Sequence, residues 1–296
     1  MNPAAQPLVD MVREHDFLIC IDSDGCAFDT MEVKHKECFT PNTINHWDLQ
    51  SISKYAREAA EYVNLYSTFR GINRFPALIE VLDLVAERPE CVRRGYTAPN
   101  IDSLRRWSAT ETRLGNPALA EYVKAHPDDP VMARALRWST AVNRAVAEVV
   151  RGVPPFPFVV DSLRKMVESA DVVVVSATPG EALDREWREH DVAQYTKVIA
   201  GQEMGTKKEC IALAMAHGYA HDRVLMIGDA PGDLSAARAN QALFYPVNPG
   251  DEEASWLRFR DEALSVFLRG EYAGGYEQSL IREFEKRLPS TPPWKA

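Results

Sequence analysis

Short apolar runs without alternation punctuate this chain. Phe17-Leu18-Ile19-Cys20-Ile21 is the first, and it ends in Asp22-Ser23-Asp24-Gly25. Val172 to Val175, Val224 to Ile227 and Ala242 to Tyr245 resemble it, and a further short strand is predicted at Lys197 to Ala200. Runs of this kind suit strands buried on both faces of a parallel sheet. Helical patterns separate the later runs, so right-handed crossovers and a doubly wound parallel α/β sheet are expected.

Between about residue 31 and residue 153 the pattern changes. Ile52, Tyr55, Ala59, Tyr62, Val63, Tyr66 and Phe69 recur at helical spacing. Pro76 is expected to open a second helix running through Glu87, because its fixed φ suits a first turn. A third pattern runs from Met132 through Leu136, Val142 and Val146 to Val149. The spacing therefore predicts a core domain over residues 1–30 and 154–287, with an all-helical domain inserted over residues 31–153. The proline-rich end, residues 288–296, is expected to be a flexible tail.

Composition narrows the possible partners. At 296 residues and 46% hydrophobic, the chain can build a core and a second lobe. A net charge of −9 argues against nucleic acid, whose binding needs a basic surface. Five scattered cysteines without a CxxC pair read as reduced thiols. The N-terminal stretch, with acids and two prolines, reads as neither signal peptide nor anchor, and no apolar run reaches membrane-spanning length. A soluble cytoplasmic protein with no nucleic-acid or membrane partner is expected; its oligomeric state is left open.

Candidate chemistry clusters where open α/β sheets bind ligands, just past the carboxyl ends of strands. Asp22 and Asp24 lie two apart after the first run and point the same way if the chain stays extended; Gly25 permits a sharp turn. Alone, this also fits an acidic turn. Ser176 and Ala177 follow the second run, with Thr178 expected as an N-cap and Pro179 as the first helical residue. Thr206-Lys207-Lys208-Glu209 has the form of a capping box and places two lysines in a first turn. Cations oppose the macrodipole there, which is easier to explain if an anion binds between them. Gly228-Asp229-Ala230-Pro231-Gly232-Asp233 adds two carboxylates after the Val224 run. Two carboxylates about 4 Å apart repel by roughly 4 kcal/mol at an effective dielectric of about 20. Four converging on one crevice call for a cation, and all-oxygen donors favour a hard one such as Mg²⁺.

This ordered set resembles the haloacid dehalogenase superfamily: DxDG after strand one, Ser after the next core strand, a helix-starting Lys, then GDxxxD. The resemblance covers about residues 15–30 and 154–250, and the helical insertion looks like a large C1-type cap. It implies a phosphatase-type hydrolase acting on a small phosphorylated metabolite. Asp22 would be the nucleophile and Asp24 the general acid and base. Ser176 and Ala177 would hold the transferring phosphoryl group, and Lys207 (or Lys208) would neutralise its charge. Mg²⁺ would be held by Asp22, the Asp24 carbonyl, Asp229 and, as ligand or outer acceptor, Asp233. The second acid, Asp24, argues against dehalogenase and phosphonatase chemistry. A sugar-phosphate mutase is the alternative on the same scaffold, and a non-catalytic phosphate-binding module is a third reading. In the inserted domain, Gly71 and Asn73 interrupt the helical pattern, so Arg70 and Arg74 are candidates for reading the substrate; helix capping or plain solvation is the other reading of both.

Overall fold

The apolar runs become five parallel strands: β1 (Phe17–Ile21), β2 (Ala170–Val175), β3 (Val198–Ala200), β4 (Val224–Gly228) and β5 (Leu243–Pro246). A computed structural model describes residues 2–295. The sheet order is β3-β2-β1-β4-β5, so the chain winds outward through β2 and β3 and then returns to the other side of β1. This is the doubly wound arrangement expected from the pattern. Its switch point lies at the carboxyl ends of β1 and β4, where such sheets open a crevice.

Side chains alternate across the sheet as pleating requires. Ile19, Ile21, Val172, Val174, Leu225 and Ile227 enter one buried layer, while Leu18, Cys20, Val173, Val175, Val224 and Met226 enter the other. Both faces are covered, which is why the strands read as unbroken apolar runs. Ile21 is level with Val174 on one side and Ile227 on the other. The residues that follow each strand therefore emerge at one edge.

The chain forms two compact units: Met1–Met31 with Gly152–Leu288, and Glu32–Arg151 with Pro289–Ala296. The sheet belongs to the first. Among the described residues the second contains no strand; its main helices are Ser53–Leu65, Arg74–Glu87 and Pro130–Val149. The middle helix starts two residues before Pro76, because the Asn73 side chain accepts from the Phe75 amide and caps it there. Asp129 does the same for the last helix, accepting from Val131 and Met132, with Pro130 at its first position. Phe75 meets Trp107 and Trp138 edge-on in the middle of this unit.

The proline-rich end is not frayed over the described residues. The Pro289 carbonyl accepts from the Tyr62 hydroxyl and the Thr68 amide, and the Trp294 ring lies between Tyr62 and the Arg88 guanidinium. Aromatic and cation–π contacts outweigh the local breakers here.

β2 begins two residues earlier than its apolar run and takes in a buried acid, Asp171. Oδ2 of Asp171 accepts from the Tyr219 hydroxyl at 2.6 Å and from the amides of Glu14 and His15 at 2.9 and 3.0 Å. Burial pushes this carboxyl up, but the hydrogen bonds outweigh it and hold it below the ordinary value. A group depressed in the folded state adds stability above its unfolded value, and that stability is lost as pH falls through the folded value. Asp171→Asn and Tyr219→Phe should each cost about 1–3 kcal/mol at neutral pH. Urea denaturation across the acid range should show Asp171→Asn losing part of the wild-type dependence below about pH 4.

Candidate active site

Asp22 leaves β1 still paired, its amide donating to the Ile227 carbonyl of β4. The chain then turns sharply. The Ser23 carbonyl accepts from the amides of Cys26, Ala27 and Phe28, and Gly25 takes a φ of 76° while its amide donates to Phe28. That positive φ is the reason for glycine at this place in the motif. The Ser23 side chain is fully buried: its hydroxyl accepts from the Trp187 indole at 3.0 Å and donates to Glu186 at 3.2 Å.

Asp22 is buried. Its Oδ1 accepts from the Ser23 amide at 2.7 Å, and its Oδ2 from Lys207 Nζ at 2.6 Å. Lys207 also reaches Asp233 Oδ1 at 2.5 Å, so one ammonium joins the end of β1 to the turn after β4. The helix Lys207–Met215 fixes this lysine through the expected capping box. Thr206 Oγ1 accepts from the Glu209 amide, and Glu209 accepts from the Thr206 amide. On that helix Lys207 and buried Ile211 are one turn apart on the same face, whereas Lys208 is exposed. Lys208 is therefore not part of the site, because helix phase turns its side chain away.

Asp233 uses both oxygens. While Oδ1 holds Lys207, Oδ2 accepts from the amides of Asp229 and Ala230 at 3.2 and 3.0 Å, closing the start of the helix Pro231–Ala239. Each of Asp22, Asp229 and Asp233 places one carboxylate oxygen within 4.8 Å of the others. Asp24 is not in this group. Its Oδ1 accepts from the Thr30 hydroxyl and its Oδ2 from the Thr178 hydroxyl, both at 2.6 Å. Two hydroxyls thus hold the Asp24 carboxylate, which is not one of the three grouped acids.

Thr178 was expected to cap the following helix. Instead that helix, Gly180–Glu189, begins after Pro179, and the Gly180 amide is met by Glu203. The Thr178 hydroxyl is committed to Asp24. Nothing in the local sequence distinguished these roles, since both use the same oxygen. Ser176 is buried at the end of β2, its amide bonded to the Ala200 carbonyl and its Oγ accepting from the Thr178 amide; Ala177 is exposed in the loop.

The electrostatics follow from burial. Burial pushes the Asp22 carboxyl up to about 8; Lys207 pulls it down, and Asp233 and Asp229 add to the rise. Burial alone would lower Lys207, but Asp22 and Asp233 more than reverse this and hold it firmly charged. Three carboxylates around one ammonium leave two negative charges if all are ionised. An all-oxygen, electron-rich, buried donor set of this kind suits a hard divalent cation.

The two candidate arginines, Arg70 and Arg74, both bond to oxygens within the helical unit. Arg70 is buried and donates from Nη1 to the Leu65 carbonyl, the last residue of the helix Ser53–Leu65. This is the favoured place for a cation at a helix end. Arg74 donates from Nη1 to the Ser139 carbonyl and hydroxyl and to Asn143 Oδ1. Arg70 lies in the turn between two helices and is buried, whereas Arg74 is the first residue of the helix Arg74–Glu87 and is half-buried.

Gly228 gives a test of this geometry. A Cβ placed there would lie 2.4 Å from Asp233 Cβ and 2.5 Å from its Cγ and Oδ2. Gly228→Ala should displace Asp233 from Lys207 and from the helix start. Urea denaturation should show a loss of about 1–3 kcal/mol.

No protein-family model matches the chain, and no curated protein matches it. Solved structures do. A haloacid dehalogenase-like family hydrolase from Streptococcus pneumoniae superposes with a TM-score of 0.50 at 14% identity, over 83% of this chain and 91% of its own. A haloacid dehalogenase superfamily hydrolase of subfamily IA, variant 1, from Geobacter sulfurreducens gives 0.40 at 14% identity, over 80% and 89%. The assignment of fold rests on the first of these. With its parallel Rossmann-like sheet and long helical insertion, this chain has the haloacid dehalogenase fold.

Proposed function

We propose that the protein is a magnesium-dependent phosphohydrolase that cleaves a small phosphorylated metabolite through an aspartyl-phosphate on Asp22. The observation that carries this reading is the Lys207 ammonium bridging Asp22 and Asp233, with an Asp229 oxygen within 4.8 Å of both carboxylates. A lysine so placed balances part of the carboxylate charge and can meet an incoming phosphoryl group.

Asp22 and Asp229, with the Asp24 carbonyl, would hold Mg²⁺, and Asp233 would support them from outside through Lys207 and the two amides. The ion would neutralise phosphoryl oxygens and the remaining carboxylate charge. Asp22 forms a bond to phosphorus as the ester oxygen leaves, and Asp24 gives that oxygen a proton. Asp24 then takes a proton from the water that attacks the aspartyl-phosphate, which restores both acids and releases phosphate. Thr30 and Thr178 hold the Asp24 carboxylate in place for both transfers. Ser176 donates to the transferring group.

A panel of phosphorylated metabolites with Mg²⁺ present tests this directly. Free phosphate is expected from at least one member and none from Asp22→Asn. An isomeric ester in place of phosphate would instead indicate a mutase. Turnover by Asp22→Asn equal to wild type would refute the mechanism. Asp24→Asn should lower kcat by about 10²–10⁴-fold. Thr178→Val should lower kcat with little change in KM, and Thr178→Ser should restore it, because only the hydroxyl reaches Asp24.

A further inference from the structure

Ser23 stands between the two acids of the loop after β1 and is fully buried, yet the proposed reaction gives its side chain no task. Every polar atom of this residue is committed. Its amide donates to Asp22 Oδ1 at 2.7 Å, and its carbonyl accepts from the amides of Cys26, Ala27 and Phe28. An indole N–H can only donate, so the Ser23 oxygen accepts from Trp187 Nε1 at 3.0 Å. The one hydroxyl proton then goes to Glu186 Oε2 at 3.2 Å. The direction of this chain, from Trp187 through Ser23 to Glu186, is thereby fixed. Trp187 is itself fully buried and meets Phe28 edge-on, with ring centroids 5.6 Å apart. It grips the acidic loop twice: at the Ser23 hydroxyl, and at the ring of Phe28, whose amide returns to the Ser23 carbonyl.

The Asp22 carboxylate is held at both oxygens, Oδ2 by Lys207 and Oδ1 by the Ser23 amide. A peptide amide turns with its own residue, so whatever fixes the Ser23 side chain also fixes the donor that orients Asp22. We propose that Trp187 and Glu186 are positioning residues for Asp22: through the Ser23 hydroxyl they hold its carboxylate in the attacking orientation. The proposal rests on the phosphohydrolase reading and adds two residues to it, both from the helix Gly180–Glu189. A nucleophile gains rate from being held in line with the atom it attacks, and small misplacements are costly. If the chain served packing alone, its removal would lower stability and leave the chemical step unchanged.

Steady-state kinetics on the full chain test it, with Mg²⁺ and the phosphate ester that wild type turns over fastest. Trp187→Phe keeps a ring in the core and removes the N–H. It should lower kcat by about 10-fold, the worth of one hydrogen bond, and leave KM within about twofold. Ser23→Ala should do the same, and the double variant should be no slower than the slower single one, because both changes cut one chain. Glu186→Met should lower kcat by about threefold, and Glu186→Gln should restore it, since the amide oxygen still accepts the Ser23 proton. Losses that multiply in the double variant, or that fall on KM alone, would overturn the proposal. So would a lower unfolding temperature in Trp187→Phe with kcat unchanged. Should that variant fail to fold, half-buried Glu186 decides, and a kcat for Glu186→Met equal to wild type overturns it. A wild type that turns over no ester refutes the phosphohydrolase reading and the proposal with it. Equal turnover by wild type and Trp187→Phe refutes the proposal alone.

Discussion

The contact on which the rest of the site depends is the Lys207 ammonium held between Asp22 and Asp233. It is buried, and it ties three separate pieces of backbone: the end of β1, the start of the helix Lys207–Met215, and the turn after β4. Removing charges from water is expensive, so such a group persists only where other hydrogen bonds complete it. Here the completion is thorough. Asp22 takes the Ser23 amide, Asp233 takes the amides of Asp229 and Ala230, and the helix that carries Lys207 is closed by Thr206 and Glu209. Breaking any of these frees a charge in the interior, so each local turn is held by the same centre.

Around that centre, the loop of the two acids is fixed from one direction by the segment after β2. Thr178 holds the Asp24 carboxylate, and Trp187, within the following helix, holds the Ser23 hydroxyl. One helix and its lead-in therefore orient both the Ser23 hydroxyl and the Asp24 carboxylate. The packing of Trp187 edge-on to Phe28 makes that support part of the hydrophobic core rather than a surface contact. The grouped carboxylates of Asp22, Asp229 and Asp233 are thus separate from Asp24, which hydroxyl donors hold.

The helical unit solves a different problem. Its arginines act as interior fasteners, on a helix end for Arg70, against Phe39 for Arg74, and between Tyr55 and Trp294 for Arg88. Stacking of this kind exploits the weak hydration and flat shape of guanidinium, which lysine lacks. It also turns a chain end rich in proline into an ordered part of the unit.

By itself the sequence determined the sheet and the places where chemistry could gather. The unbroken apolar runs, the Asp22-Ser23-Asp24-Gly25 turn, the Thr206–Glu209 capping box and the acidic pair Asp229 and Asp233 are local patterns. Strand burial, a positive φ and helix capping each act within a few residues, so they leave readable marks. What only the tertiary structure decided involved groups distant in sequence. Asp171 could enter a buried strand because Tyr219 and two amides meet it, and Thr178 gave up its cap because Asp24 lay within reach. Lys207 rather than Lys208 faces inward through the helix phase set by Ile211. Arg70 is buried where a helix end takes its guanidinium, and Arg74 lies against the Phe39 ring. A side chain's local pattern states which bonds it can make; which one it makes depends on what the fold brings within about 3 Å.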